Sequence, residues 1–185
     1  GAAAYRSGER LIQDGIGGVT HDYSRKDGVV HAQIMAPPTA PEWVYDRARL
    51  WNEVDRTERR KDAQLAREIE VALPVELGLS EQVELLRTFV SRELVERGMV
   101  VDFAVHHDNP ANPHAHILTT LREIGADGFG AKQRDWNRRE LLNTWRESWA
   151  AESNQVLAMG GHEARIDHRS HAERGLALTP GVKIG

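Results

Sequence analysis

Two alternating runs, Val100 to His106 and His114 to Leu121, are separated by only the seven residues from His107 to Pro113. No other feature restricts the fold so much. Parallel pairing would need a crossover of roughly a dozen residues or more, so the two runs must form an antiparallel hairpin. Alternation places Val101, Phe103 and Val105 on one face of the first strand and Asp102, Ala104 and His106 on the other. In the second strand His114 and His116 share a face, with Ala115 and Ile117 opposite. His107 points away from His106 and falls outside the cluster.

The remaining chain reads as further strands separated by helices. Ala2 to Ile12 is rich in helix formers and is broken by Gly15-Ile16-Gly17-Gly18. Gly28 to Met35 alternates, with Val30, Ala32 and Ile34 on one side and His31 and Gln33 on the other, and stops at Pro37-Pro38. A helix follows from Pro41, capped near Thr39 or Ala40 and anchored by Trp43, Leu50, Trp51 and Val54, with Arg56 to Lys61 as solvated surface. Arg67 to Leu73 is a strand with Ile69, Val71 and Leu73 on one face and Glu68, Glu70 and Ala72 on the other. Ser80 is the expected N-cap of a helix over 81–97 that Gly98 ends. After a Gly-rich turn at 125–130, Asp135 is placed to cap a last helix, anchored by Leu142, Trp145 and Trp149 and closed by Gly160-Gly161.

This succession predicts an α/β (α+β layered) domain: a central, mainly antiparallel sheet with helices packed on one face. The other face, which repeatedly bears His or Glu, is the expected place for chemistry. The absence of cysteine excludes disulfides and thiolate metal sites, so a metal must be held by His, Asp or Glu. It also permits a reducing cytoplasm. No apolar run is long enough to cross a bilayer, which argues against membrane insertion. A net charge of -4 argues against binding DNA by bulk charge. It leaves local basic patches open.

The stretch VHHDNPANPHAHI, Val105 to Ile117, carries the sharpest chemical signal. A histidine pair at i and i+2 on a strand is by itself more often structural or surface than metal-binding. The hairpin partner adds His106, and three neutral imidazoles leave a divalent cation with its full charge, which suits polarising an anionic phosphodiester. Hydrolases, oxygenases and cyclases of several folds share such sites, so spacing alone names no reaction.

The His106, loop, NPHAH pattern resembles the histidine–hydrophobic–histidine signature of the HUH endonuclease superfamily. AAAYRSGERL at Ala2 to Leu11, LWNEVDRTERRKDAQLAREIEVALPVEL at Leu50 to Leu77, DGFGAKQRDWN at Asp127 to Asn137 and RIDHRS at Arg165 to Ser170 extend the likeness to the MobA/MobL family of plasmid mobilisation relaxases, including the relaxase domains of Ti-plasmid-type conjugative transfer proteins. The resemblance implies a single relaxase domain over residues 1–185 within a longer bacterial cytoplasmic protein. Family members carry an N-terminal strand before their tyrosine, whereas Gly1 to Ala4 alone precede Tyr5 here, which implies a sheet lacking that strand.

The resemblance further implies metal-assisted nicking and rejoining of one DNA strand at a transfer origin through a 5′-phosphotyrosyl intermediate. Tyr5 is the implied nucleophile, His106, His114 and His116 the metal ligands, and Mn²⁺ or Mg²⁺ the cofactor. Glu70, on the strand's polar face, would orient a histidine or accept a proton from Tyr5; an exposed strand glutamate is the plain alternative. Asp108 supports a ligand or merely shapes its loop, and His168 has no derivable role beyond a structural hydrogen bond. Arg6 and Arg10, with Arg25 and Lys26, lie near Tyr5 in sequence, while Lys132, Arg134, Arg138 and Arg139 surround Trp136. These groups are placed to bind phosphates, with Trp136 stacking on a base, unless they are solvated surface. The implied partners are single-stranded or supercoiled plasmid DNA at the transfer origin, accessory relaxosome proteins and a coupling protein. A rolling-circle or transposition nickase, a non-catalytic DNA-binding module and a metal-dependent hydrolase of another substrate are the competing readings.

Overall fold

The computed structural model describes residues 2–12, 20–22, 28–58 and 63–169, with the side chains of residues 2, 5, 11, 12 and 20–22 outside the description. The Gly15 to Gly18 break, Tyr23, Arg25 and Lys26 therefore lie outside the described residues. In chain order come α1 (Ala2–Ser7), β1 (Arg10–Ile12), β2 (Thr20–Asp22), β3 (Val29–Met35), α2 (Arg47–Thr57), β4 (Arg67–Ala72), α3 (Leu79–Glu93), β5 (Val101–His106), β6 (His114–Thr119), β7 (Arg122–Gly125), β8 (Gly128–Lys132) and α4 (Arg139–Met159).

The central sheet has the order β3-β5-β6-β4, and every pair in it is antiparallel. The expected β5–β6 hairpin forms with His106 opposite His114 and Ala104 opposite His116. On one face Phe103, Val105, Ala115 and Ile117 pack with Leu86, Phe89 and Val90 of α3 and Trp145 and Trp149 of α4 to make the main core. The α3 face has an apolar residue at nearly every i, i+3 and i+4 position, so the helix is held by burial rather than by propensity.

The opposite face is not bare. Asp102, only 4% exposed, receives hydrogen bonds from Arg47 Nε at 3.0 and 2.9 Å and from Trp51 Nε1 at 2.8 Å, and so fixes α2 over one end of β5. Burial pushes the Asp102 carboxyl pKa up, and the Arg47 and Trp51 contacts work against that rise. Arg47 also pairs with Glu9, tying the segment after α1 to the same anchor. Only the far end of this face, where the histidines lie, is left for chemistry.

Several boundaries differ from the sequence-based expectation for local reasons. Thr39, Ala40 and Pro41 do not cap α2. Pro41 instead precedes a 3-10 turn at Glu42–Tyr45, and Asp46 caps α2 by accepting from Arg49 N at 3.0 Å. Likewise Gly78, not Ser80, is the N-cap of α3, its N–H donating to Glu81 at 2.9 Å. Asp135 pairs with Arg138 at 2.8 Å in a 3-10 turn at Arg134–Asn137 and leaves the N-cap of α4 to Arg138. The Gly-rich stretch expected as a turn folds into the β7–β8 hairpin. Finally, β3 inverts the expected sidedness: its polar residues face α3, with His31 against Phe103 and Gln33 accepting from Arg87 at 2.8 Å. A register shift between Val29 and His31 accompanies this arrangement.

Candidate metal centre

The histidines meet because a hairpin forces them together. His106 and His114 are direct cross-strand partners, and His116 is two residues along β6 on the same face. Their rings form a nearly equilateral triangle, with centroids 5.2, 4.8 and 5.1 Å apart. One ligand nitrogen from each lies within 4.8 Å of the others, close enough to converge on one cation after small rotamer adjustments. His107 points to the other side and bonds Gln82 Oε1 at 2.7 Å, so it takes no part.

The outer contacts of the rings fix which nitrogens face the centre. His114 Nδ1 lies 3.0 Å from the Asn112 carbonyl, which can only accept, so that nitrogen carries the proton. His116 Nδ1 lies 2.8 Å from Glu68 Oε1 and likewise donates. In the neutral form of each ring Nε2 then carries the free lone pair, the tautomer a metal ligand needs. His106 is buried, and its Nε2 lies 2.7 Å from the Arg6 carbonyl. Coordination through that nitrogen would require the carbonyl to give way. Three imidazoles with two tautomers preset are a donor set suited to a divalent cation.

Glu68 is the carboxylate the sequence reading did not single out. Glu70 is the direct Cα partner of His116, yet its Oε2 stays 3.9 Å from His116 Nδ1 and its side chain is 63% exposed. Glu68, on the diagonal, makes the closer bond and also pairs with Arg6. Burial opposes its charge, but the hydrogen bonds from Arg6 and His116 outweigh that and hold its pKa below the usual carboxylate range. The signal was present in the alternation, which puts Glu68 and Glu70 on one face; choosing between them required the side-chain geometry.

Arg6 belongs to α1, so α1 touches the centre twice, through the Arg6 carbonyl on His106 and the Arg6 guanidinium on Glu68. Tyr5 is the preceding residue of that helix, and its side chain lies outside the description. Arg10 is on β1 opposite Asp22. The other proposed DNA contacts scatter. Lys132 is committed to Glu58 at 3.2 Å and to the Gln64 carbonyl at 3.0 Å, and Arg134 is exposed in its 3-10 turn. Trp136 corrects the expectation of base stacking: it is 8% exposed and sits in the main core, so no ring face is offered to a base. Asp108 is exposed and packs on Gly28, whose φ of +94° and close approach leave no room for a Cβ, and Asn109 shapes the loop by accepting from Ala111 N at 3.0 Å. His168 is a surface residue 3.8 Å from Glu147.

The site thus defines a protein with three histidines gathered on one face of an antiparallel sheet, placed so that they could hold a metal ion. Comparison with known proteins specifies the kind: the MobA/MobL family profile matches residues 1–185, and the chain belongs to that family. It is 39% identical to a probable conjugal transfer protein TraA of Sinorhizobium fredii over 90% of this chain and 18% of that protein. It is 36% identical to the mobilization protein MobL of Acidithiobacillus ferridurans over all of this chain and 57% of that protein. The chain therefore spans under a fifth of the TraA relative and somewhat over half of MobL. Among solved structures, one described as the molecular basis of vancomycin resistance transfer in Staphylococcus aureus superposes with a TM-score of 0.84 at 35% identity, covering 91% of this chain and 89% of that one. Among the described residues no helix is long and apolar enough to cross a membrane.

Proposed function

We propose that this chain is the nicking and rejoining domain of a conjugative or mobilisation relaxase, acting on single-stranded or supercoiled plasmid DNA at a transfer origin. The observation that carries the reading is the double contact of α1, the helix of Tyr5, with the histidine centre through Arg6. Tyr5 immediately precedes Arg6 in that helix, so α1 sets the backbone of the proposed nucleophile beside the centre.

In this reading the Tyr5 oxygen attacks the scissile phosphorus. A phosphotyrosyl bond forms at the 5′ side, and the bond to the 3′ oxygen breaks, the latter leaving as a 3′-hydroxyl after taking up a proton. Because one phosphodiester is exchanged for another, the step reverses without an energy source, and the same tyrosine reseals the strand. A phenol with an ordinary pKa of about 10 must lose its proton on attack, and Glu70, whose carboxylate is not committed to Arg6, is the acceptor assigned to it. Glu68 holds His116 in its ligand tautomer. His106, His114 and His116 would hold a divalent cation, Mn²⁺ or Mg²⁺, which would supply Lewis-acid polarisation of the phosphate. Accessory relaxosome proteins and a coupling protein are the expected partners, in the bacterial cytoplasm.

The test is incubation with a single-stranded oligonucleotide library spanning the cognate origin and Mn²⁺ or Mg²⁺, followed by a denaturing gel for a covalent protein–DNA adduct. The expected adduct disappears in Tyr5→Phe and with chelator. An adduct that survives Tyr5→Phe moves the nucleophile elsewhere, and no adduct from the parent chain overturns the nicking reading.

A further inference from the structure

α1 is six residues long, Ala2–Ser7, and is followed by Gly8 with a φ of +67°. A helix of that length has no stability of its own in water, so contacts with the rest of the chain decide where it sits. Its buried apolar anchors, Ala3 and Ala4, are small, and two methyl groups contribute little hydrophobic free energy. Just beyond its end, Glu9 joins the Arg47–Asp102 anchor. Arg6 supplies the directional contacts with the histidine face.

Those contacts are two-pronged. Nε and one terminal nitrogen of Arg6 bond the two oxygens of Glu68, the fork geometry in which guanidinium and carboxylate fix each other's orientation as well as balance charge. The Glu68 side chain is 34% exposed, enough for an untethered glutamate to sample several rotamers. The clamp selects the one that accepts from His116 Nδ1 at 2.8 Å. From the sequence, Arg6 is expected to meet a DNA phosphate. In the fold its guanidinium is engaged by Glu68, and a phosphate would have to displace that carboxylate.

One carboxylate is therefore shared by the histidine centre and the helix. His116 Nδ1–H donates more strongly to Glu68 when Nε2 of the same ring binds a cation, and a Glu68 so held keeps its grip on Arg6. Conversely, a seated Arg6 holds Glu68 in the orientation that His116 requires. By linkage the two effects are equal in size.

We propose that Arg6 is a positioning residue: by clamping Glu68 it couples the affinity of the histidine centre for a divalent cation to the seating of the helix that carries Tyr5. The proposal rests on the metal-assisted nicking reading for its purpose and on the chain of contacts from Arg6 through Glu68 to His116 for its geometry.

The test is calorimetric titration with Mn²⁺ of the full chain as the parent, Arg6→Gln, Glu68→Ala and the double variant. Arg6→Gln is expected to weaken binding about fivefold, below the range of roughly 10- to 100-fold for a direct outer partner of a metal-bound histidine. Because Arg6 acts through Glu68, adding Arg6→Gln to Glu68→Ala should weaken binding no further. Arg6→Lys, which keeps the charge and loses the fork, should recover part of the affinity. Hydrogen exchange read by mass spectrometry should slow in the N-terminal peptide of the parent when Mn²⁺ is added, and not in Arg6→Gln. The residue 6 carbonyl that bonds His106 is present in every variant, so the comparison isolates the guanidinium.

Equal Mn²⁺ affinity in the parent and Arg6→Gln, or additive losses in the double variant, overturn the proposal. So does an Arg6→Gln chain with unchanged Mn²⁺ binding but a salt slope for oligothymidylate in EDTA shallower by about 0.7, the mark of one lost phosphate contact. A parent chain that binds no Mn²⁺ removes the metal-assisted reading along with the proposal. A parent that binds Mn²⁺ and forms the covalent adduct keeps the nicking reading whatever the Arg6 variants do.

Discussion

Glu68 Oε1 lies 2.8 Å from His116 Nδ1, and the same carboxylate pairs with Arg6 one residue after Tyr5. One side chain thus sets the tautomer of a proposed metal ligand and seats the helix that carries the proposed nucleophile. Removing it should loosen the ligand ring before it disturbs the fold. We expect Glu68→Ala to lower Mn²⁺ affinity by roughly 10- to 100-fold in calorimetric titration, the range for lost outer partners of metal-bound histidines. Glu70→Ala should leave it nearly unchanged. The reverse ranking would make Glu70 the orienting carboxylate.

Trp136 separates a packing role from a DNA role. Buried in the main core, it should cost about 3–5 kcal/mol of stability as Trp136→Ala. Denaturant unfolding measures that loss, and the affinity of the folded fraction for single-stranded DNA should not move. A stable variant with weakened DNA binding would return the ring to the interface.

Asp102 anchors α2 through Arg47 and Trp51. Its removal leaves the Arg47 guanidinium, itself nearly buried, with a lost partner. Asp102→Ala is expected to destabilise by about 3 kcal/mol or more. A melting curve overlapping that of the parent would show that the Glu9 contact alone suffices.

Acid sensitivity has a local source in Glu58, which follows α2 and receives Arg122 Nε at 3.0 Å and Lys132 Nζ at 3.2 Å from the β7–β8 hairpin. Burial works against its charge, yet the two cations hold its pKa below the ordinary glutamate value of 4.5. With a folded value below the unfolded one, its stabilising contribution is full above pH 4.5 and lost as pH falls through the lowered value. Thermal unfolding followed downward from pH 5 should therefore steepen in the parent and flatten in Glu58→Gln. Parallel curves for the two would place the acid sensitivity in other carboxylates.

Much of this architecture is written in short-range pattern. The seven-residue link between β5 and β6 admits only a hairpin, and period-two alternation then commits His106, His114 and His116 to one face. Caps were less legible. Asp46, Gly78 and Arg138 flank their helices where the sequence pointed to Thr39 or Ala40, Ser80 and Asp135, because neighbouring polar residues compete for the same backbone groups and the packed helix axis selects among them.

By itself, then, the sequence determined the β5–β6 hairpin, the three-histidine face and the exclusion of thiolate ligands, because strand period, loop length and residue type are local properties. Only the tertiary structure decided that Glu68 rather than Glu70 bonds His116, that Trp136 is buried, and that Arg139 and Arg146 border a cleft between β4 and α4. Those outcomes depend on which side chain reaches across a strand and which helix face meets the sheet edge. Contacts between residues tens of positions apart are set by packing, and no local period encodes them.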